Sequence, residues 1–327
     1  MKKRFKVAQV GLGPIGVECI KLAASKSWAR IVGAVDVDPA KIGRNVGELT
    51  GVPELKHLRV AGSIDALREK PDVVFQTTVS RFDAAYDQLR RLANAGVSVI
   101  SSCEELVFPQ LRNPKLSARL DQTARRSGAR VLGAGVNPGF VMDILPVFFA
   151  GITREIREIH VERVVDAATR REPLQRKIGS GMPPARFRQL LRTGRAGHAG
   201  LRESLGLLAH ALGYELREFK ESGKAIIAEQ EIETAYLTVH RGETCGLHQH
   251  LEAHLSARLF VSLDLKMYLG APEPMDRLII RGDPPLDILV RGGVAGDAAT
   301  VAALVNSVPR LMRAPAGLRL LTELPLA

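Results

Sequence analysis

Apolar and polar positions follow two different rhythms along this chain. Residues 5–10 alternate and then run apolar, as a strand entering a buried parallel sheet does. Residues 17–24 have helical periodicity, and a second apolar run covers 31–35. Segments 71–78, 97–102 and 130–133 read as further strands, with helices at 83–95 and 114–127 between them. Strands alternating with helices at this spacing predict a doubly wound parallel sheet. Ligands of such sheets sit at the carboxyl ends of the strands. Thr77, Thr78, residues 101–105 and the loop 133–139 are therefore expected to face a ligand crevice.

Beyond Met142 the rhythm changes. Residues 156–165 alternate as a strand, a long arginine-rich helical region follows, and 201–212 reads as a helix. Segments 225–228, 235–240, 248–255, 259–269, 276–281 and 286–290 read as successive strands joined by short turns, which indicates an antiparallel sheet covered on one face by helices. Residues 297–312 look helical, with Pro309 bending the end. The predicted class is α/β. An N-terminal Rossmann domain (1–138) is completed by a C-terminal helix (296–327). A second α+β domain (139–295), on a largely antiparallel sheet, is expected to bind substrate and to dimerise.

The turn after the first strand sharpens this picture. Gly11-Leu12-Gly13-Pro14-Ile15-Gly16 opens the first helix, and the next strand ends in Asp36, twenty residues after Gly16. Strand, glycine turn, helix, strand and acid are the full context of a dinucleotide-binding fingerprint. Gly11 permits the tight turn, Gly13 lets backbone approach a pyrophosphate, and Gly16 lets helix and strand pack closely. Pro14 and Ile15 begin the helix, whose N–H groups and dipole favour phosphate. Asp36 is suited to accept hydrogen bonds from ribose hydroxyls and to repel a 2′-phosphate. NAD is thus favoured and NADP possible, since Arg44 lies close enough in sequence to soften the preference. Asp38, before Pro39, reads as a turn residue.

Four places carry candidate chemistry. Cys103-Glu104-Glu105 ends the fourth predicted strand, and in an extended segment neighbouring side chains face opposite ways. One acid can therefore face substrate while the other caps the next element. Cys103 has no histidine near it in sequence and two carboxylates beside it, so it reads as a buried cysteine rather than a nucleophile. Asn137, in the second glycine-rich loop 133–140, is placed to bond a cofactor carboxamide or a substrate. His248, His250 and His254 lie near Cys245, with His250 and His254 able to share a helix face; a solvated face or dimer contact fits them better than a metal site. His198 stands alone between glycines.

Composition excludes several classes. The chain is 46% hydrophobic and 25% charged, with three scattered cysteines, as expected of a cytoplasmic globular protein without a disulfide framework. No run of about 18 apolar residues is present, and the short run 7–10 after the basic start is a strand rather than a signal sequence. A net charge of +11 invites a nucleic-acid reading, but most of it is dispersed arginine with no aromatic interleaving. The exception is 170–202, nine basic residues and one acid, net +8. It suits either a carboxylate-bearing substrate or a solvated or subunit-contact surface.

Several stretches together resemble the 2,4-diaminopentanoate dehydrogenases and the related native amine dehydrogenases. They are Glu104-Glu105, Gly135-Val136-Asn137-Pro138-Gly139-Phe140 with Met142-Asp143, and the run 197–204 (Gly-His-Ala-Gly-Leu-Arg-Glu-Ser). The most specific are 282–285 (Gly-Asp-Pro-Pro), 292–300 (Gly-Gly-Val-Ala-Gly-Asp-Ala-Ala-Thr) and 305–309 (Val-Asn-Ser-Val-Pro), so the likeness runs from Val7 to Pro325. A likeness to dihydrodipicolinate reductases is confined to the first half, and their histidine–lysine signature is missing. The family resemblance implies reversible NAD(P)-dependent oxidative deamination of a small amine or diamino acid. In reverse it is reductive amination of an aldehyde or ketone with ammonia. It implies Glu104 as the catalytic residue, binding and deprotonating the amine. Phe140, Met142, His198 and Glu105, with the 163–178 and 200–204 regions, are the expected substrate pocket, and a homodimer is expected. Two other readings remain open: a hydroxy- or semialdehyde dehydrogenase, which would favour a lysine or histidine acid over Glu104, and a non-catalytic dinucleotide sensor.

Overall fold

The computed structural model describes residues 4–325. The basic lead-in at residues 1–3 lies outside the described residues, as do 326 and 327. In chain order the elements are β1 (Phe5–Val10), α1 (Pro14–Ala24), β2 (Ala29–Val35), α2 (Val46–Thr50), β3 (Val60–Ala61), β4 (Val73–Gln76), α3 (Phe82–Asn94), β5 (Ser98–Ser101), α4 (Pro114–Ser127) and β6 (Arg130–Gly133). They continue with α5 (Ile144–Ala150), β7 (Glu155–Asp166), α6 (Glu172–Lys177), α7 (Pro184–Arg192), α8 (Leu201–Ala211), β8 (Lys220–Ile227), β9 (Ile232–Glu233) and β10 (Thr238–Val239). The last are β11 (Thr244–His254), β12 (Phe260–Tyr268), β13 (Met275–Asp283), β14 (Leu286–Arg291), α9 (Gly296–Leu311) and β15 (Gly317–Arg319). The chain forms two compact units. One comprises residues up to Phe140 together with Ala295 onward, and the other is Val141–Val294.

The first unit is built on a parallel sheet in the order β15-β6-β5-β4-β1-β2-β3. Every residue of β4 and β5 is buried, as in a sheet covered on both faces. Val74, Val99, Val131, Leu89 and Leu120 belong to its core. Helix α3 packs on α4, and α1 on α9. The C-terminal segment departs from the expectation of a single helix. Helix α9 ends at Leu311, and Gly317–Arg319 then pairs with β6 as a seventh strand. Three residues including a glycine and an arginine carry no readable alternation, and the two-residue β3 is equally silent.

The second unit is a mixed sheet in the order β14-β13-β7-β12-β11-β8, parallel only between β7 and β12. Its strands alternate: Ile159, Val161, Leu247, Leu251, Leu263 and Leu278 are buried, and polar neighbours point the other way. The long arginine-rich helical region expected before residue 201 holds two short helices. Gly179 and Gly181 take positive φ between them, and Pro183 caps α7. The strand expected at 235–240 shrinks to Thr238–Val239, paired only with β9. Because β11 is extended, His250 and His254 share a strand face rather than a helix face. Among the described residues no helix is long and apolar enough to cross a membrane.

Candidate active site

The carboxyl ends of β1, β2, β4, β5 and β6 lie side by side on one edge of the parallel sheet. The glycine turn leaves β1 there. Gly11 takes φ +88°, and a Cβ on Gly16 would stand 1.9 Å from the Gly11 carbonyl oxygen, so the protein itself requires both glycines. Gly13 is different. A Cβ there would meet nothing within 4 Å. Buried Gln9 clamps the turn from below, its Nε2 donating to the carbonyls of Val10 (3.0 Å) and Gly11 (2.9 Å) and to Thr77 Oγ1 (2.8 Å). Thr77 Oγ1 in turn donates to the Gly11 carbonyl at 3.1 Å.

Asp36, nearly buried, is fixed at the end of β2. The Leu12 N–H donates to its Oδ2 at 2.7 Å, and the Asp38 N–H to its Oδ1 at 2.9 Å. Lys41 Nζ stands 3.2 Å from Oδ2. Burial alone would raise the pKa of this carboxyl, but the two backbone donors and Lys41 outweigh it and hold the group below its usual range. Asp38 builds the following turn, its Oδ1 accepting the Ala40 N–H at 2.9 Å.

Under the next two strand ends lies a second polar cluster. Gln76 Nε2 donates to Thr78 Oγ1 (2.5 Å) and Gln88 Oε1 (2.9 Å), and Gln76 Oε1 accepts from Ser101 Oγ. Ser101 Oγ accepts the Cys103 N–H at 3.0 Å, which orients the turn beginning at Glu104. That turn, Glu104–Val107, lies directly on the end of β6: a Cβ on Gly133 would fall 2.4 Å from the Leu106 carbonyl carbon. Gly133 thus permits the approach.

The paired acids divide, although both lie on a 3-10 turn and not in the extended segment expected. Glu105, expected in the substrate pocket, is committed elsewhere. Its Oε2 accepts the Phe82 N–H at 2.9 Å, capping α3, and Arg112 approaches Oε1 at 3.8 Å. Glu104 is half-buried and makes no hydrogen bond or ion pair with the described residues. Cys103 is fully buried, its thiol donating to the Ser80 carbonyl, and burial pushes it up to about 12. Such a thiol is no nucleophile.

The remaining expected residues are placed as follows. Asn137, half-buried, precedes Pro138 through a cis peptide in the loop after β6. Phe140 is exposed, and Met142 has no exposed surface and so offers none to a substrate. The His198 N–H donates to Gln249 Oε1 at 2.6 Å in the second unit. The side chains of Pro14 and Ile15 line a groove of about 640 Å³ along α1, completed by Asp297, Ala298 and Val301. Neither Asp36 nor Glu104 contributes to that groove.

Sequence reading missed the exposed apolar side chains of this edge. Among the described residues of the first unit the large hydrophobics left exposed are Val37 (82%), Ile42, Val79 and Phe140, all in segments following β2, β4 and β6. Exposed apolar side chains after strand ends suit contact with an adenine or other flat ring. It also missed Gln9, Gln76 and Ser101, because a polar residue inside an apolar strand carries no periodic signal of its own.

Comparison with known proteins now decides the family. The C-terminal domain model of 2,4-diaminopentanoate dehydrogenase matches residues 140–327. The chain belongs to this family, and with it to the oxidoreductases that act on amine donors. It is 28% identical to the 2,4-diaminopentanoate dehydrogenase of Acetoanaerobium sticklandii, over 99% of this chain and 94% of that one. It is 23% identical to an amine dehydrogenase of Streptomyces virginiae, over 97% and 95%. The structure of an amine dehydrogenase from Mycobacterium smegmatis shares its fold with a TM-score of 0.88, at 22% identity and covering 98% of this chain and 96% of that one.

Proposed function

We propose that the chain is a nicotinamide-dependent amine dehydrogenase with Glu104 as its catalytic residue. The observation that carries this reading is the state of the paired acids. Glu105 is consumed by capping α3, while Glu104 stands at the same strand end with no partner among the described residues. A half-buried carboxylate without a protein partner is suited to hold a cation, here ammonium or a protonated amine.

The residues at the edge fit a dinucleotide. Gly13 leaves open space where a Cβ would stand, beside the N–H groups that begin α1. Asp36 presents a fixed carboxylate for a ribose diol, and this favours NAD. Val37 and Val79 offer apolar surface. Thr77, Thr78 and Asn137 complete the set, the threonine hydroxyls by bracing the turn and the strand end rather than by free donation. When bound, the nicotinamide supplies the hydride acceptor for deamination and the donor for amination.

Glu104 does the acid–base work. It takes a proton from the substrate ammonium, freeing the nitrogen lone pair whose electrons support loss of hydride from the adjacent carbon. Once that proton has passed to solvent, its restored negative charge steadies the cationic C=N species until water adds and ammonia leaves. In amination it holds ammonia against the carbonyl carbon. Phe140, in the same unit as Glu104, is proposed to line the pocket for a small amine or diamino acid, with a homodimer as the assembly and the cytoplasm as its place.

The test follows NADH oxidation with small aldehydes, ketones and keto acids in concentrated ammonium buffer. Glu104→Gln should lower the ammonia-dependent rate by about 10²–10⁴-fold, with NADH affinity and thermal stability unchanged. Absence of any ammonia-dependent rate in the wild type, or full activity in Glu104→Gln, would overturn the reading.

A further inference from the structure

We infer, on the catalytic role proposed for Glu104, that Gln76 is a positioning residue for the same reaction: through Ser101 it holds the turn on which Glu104 stands. Gln76, Ser101 and Gly133 are the last residues of β4, β5 and β6, and the register sets them side by side in one row. Residues paired in this way direct their side chains to the same face of the sheet. The row runs from Gln76 through Ser101 to the bare position at Gly133, and the Glu104–Val107 turn lies on that position.

The protons along this row have a fixed order. The Cys103 N–H can only donate, and Ser101 Oγ accepts it at 3.0 Å. The single Ser101 hydroxyl proton then goes to Gln76 Oε1. That assigns the carbonyl end of the amide, so both Nε2 protons point away, to Thr78 Oγ1 at 2.5 Å and Gln88 Oε1 at 2.9 Å. Neither Gln76 nor Ser101 has exposed surface. Burying an amide costs more than filling the same space with apolar atoms; what a satisfied polar network adds is a single arrangement. Gln88 lies in the second turn of α3, the helix whose first N–H, at Phe82, holds the Glu105 carboxylate. The turn is thus fastened to α3 on both sides of Glu104, by Cys103 through Ser101 and Gln76, and by Glu105. Glu104 makes no bond of its own with the described residues, so its neighbours' backbone sets its place. A reacting group displaced by about 1 Å loses about 10²-fold in rate.

The test measures ammonia-dependent NADH oxidation by the full-length protein carrying Gln76→Met, Glu104→Gln or both. Gln76→Met should lower kcat by about tenfold to a hundredfold, while NADH affinity, read by fluorescence titration, stays within about twofold. In the Glu104→Gln background the same change should lower the residual rate by less than about twofold, because no carboxylate is left to position. In the free protein, Gln76→Met should quicken exchange of the Cys103 amide hydrogen about tenfold. Ser101→Ala, which removes one oxygen, carries the same expectations and replaces Gln76→Met should that variant not fold. A Gln76→Met protein with the wild-type rate overturns the inference, as does unchanged exchange at Cys103. Equal fractional losses with and without the Glu104 carboxylate also overturn it, since they mark a general loosening of the domain. Each of these failures leaves Glu104 as the catalytic residue so long as Glu104→Gln alone is slow. A fully active Glu104→Gln sinks that reading, and the role of Gln76 with it.

Discussion

The two sheets of this chain handle polar residues in opposite ways. In the parallel sheet most are gathered at one edge: Gln9, Gln76, Ser101 and Asp36 are all buried, and each bonds to backbone or to another of the group close to the carboxyl strand ends, while buried Ser98 accepts the Arg130 N–H at the amino end. In the mixed sheet they are spread over a face. His248 and His250 both donate to Asp264 at about 3.0 Å, Lys266 pairs with Glu162 at 2.7 Å, and His160 reaches Glu158 at 2.7 Å. A sheet covered on both faces has no other place for polar side chains than its strand ends, and there they shape backbone that a ligand can meet. An open sheet face is solvated, and its polar ladders satisfy one another. The first arrangement concentrates chemistry, and the second mainly gives cross-strand order.

One pair in the mixed sheet departs from that division. Arg163 and Asp276 point to its apolar side, with Arg163 Nη1 donating to both carboxylate oxygens at 2.8 Å. Val294 closes the set, its carbonyl accepting from Arg163 and its N–H donating to Asp276. The comparison holds that this pair is structural. Arg163→Ala should strand a buried carboxylate and cost about 3–5 kcal/mol in urea unfolding. Replacing both partners together (Arg163→Met with Asp276→Leu) should recover most of that loss. If the double variant stayed as unstable as the single, the pair would be doing more than satisfying burial.

The glycines of the parallel sheet's edge test its ligand-facing character. Gly16→Ala forces a Cβ against the Gly11 carbonyl and should cost about 3 kcal/mol of stability. Gly13→Ala meets no protein atom and keeps an ordinary φ of −73°, so the fold should lose no more than about 1 kcal/mol. Yet dinucleotide affinity should fall at least tenfold. An unfolding midpoint for Gly13→Ala close to that of wild type, with a large difference in NADH titration, is the expected pair of results. Unchanged NADH binding would show that the space over Gly13 serves no ligand.

How much of this was readable from sequence follows the same division. The parallel sheet announces itself through Gly11, Gly16 and Asp36, because a turn that tight admits few residue types. The family resemblance pointed to Glu104, but the residues alone left the roles of Glu104 and Glu105 open, since either could have capped α3; the Phe82 N–H shows which one does. Gln9 and Gln76 were illegible because their partners are far along the chain, as Gln9 with Thr77. The strands of the mixed sheet were legible from alternation, but β15 was not, since its pairing depends on a neighbour nearly two hundred residues earlier. Histidines 248 and 250 were visible as a cluster, while Asp264, which joins them, sits on the next strand.

That histidine-bound carboxylate gives the smallest expected effect. Burial alone would raise the pKa of Asp264, but the hydrogen bonds from His248 and His250 outweigh it, and the carboxyl is held below its usual range. A carboxyl lowered in the folded state adds stability that is fully present above its unfolded pKa, about 3.9, and is lost as pH falls through the folded value. Asp264 is partly exposed, so solvent screens the interaction and the gain is modest. Asp264→Asn should therefore be less stable than wild type by about 1 kcal/mol at neutral pH, with the gap closing below about pH 4. Cofactor titration should not change, because the residue lies on the solvated face of the other sheet. A loss of NADH affinity in Asp264→Asn would break the division between the two sheets more directly than any change in stability.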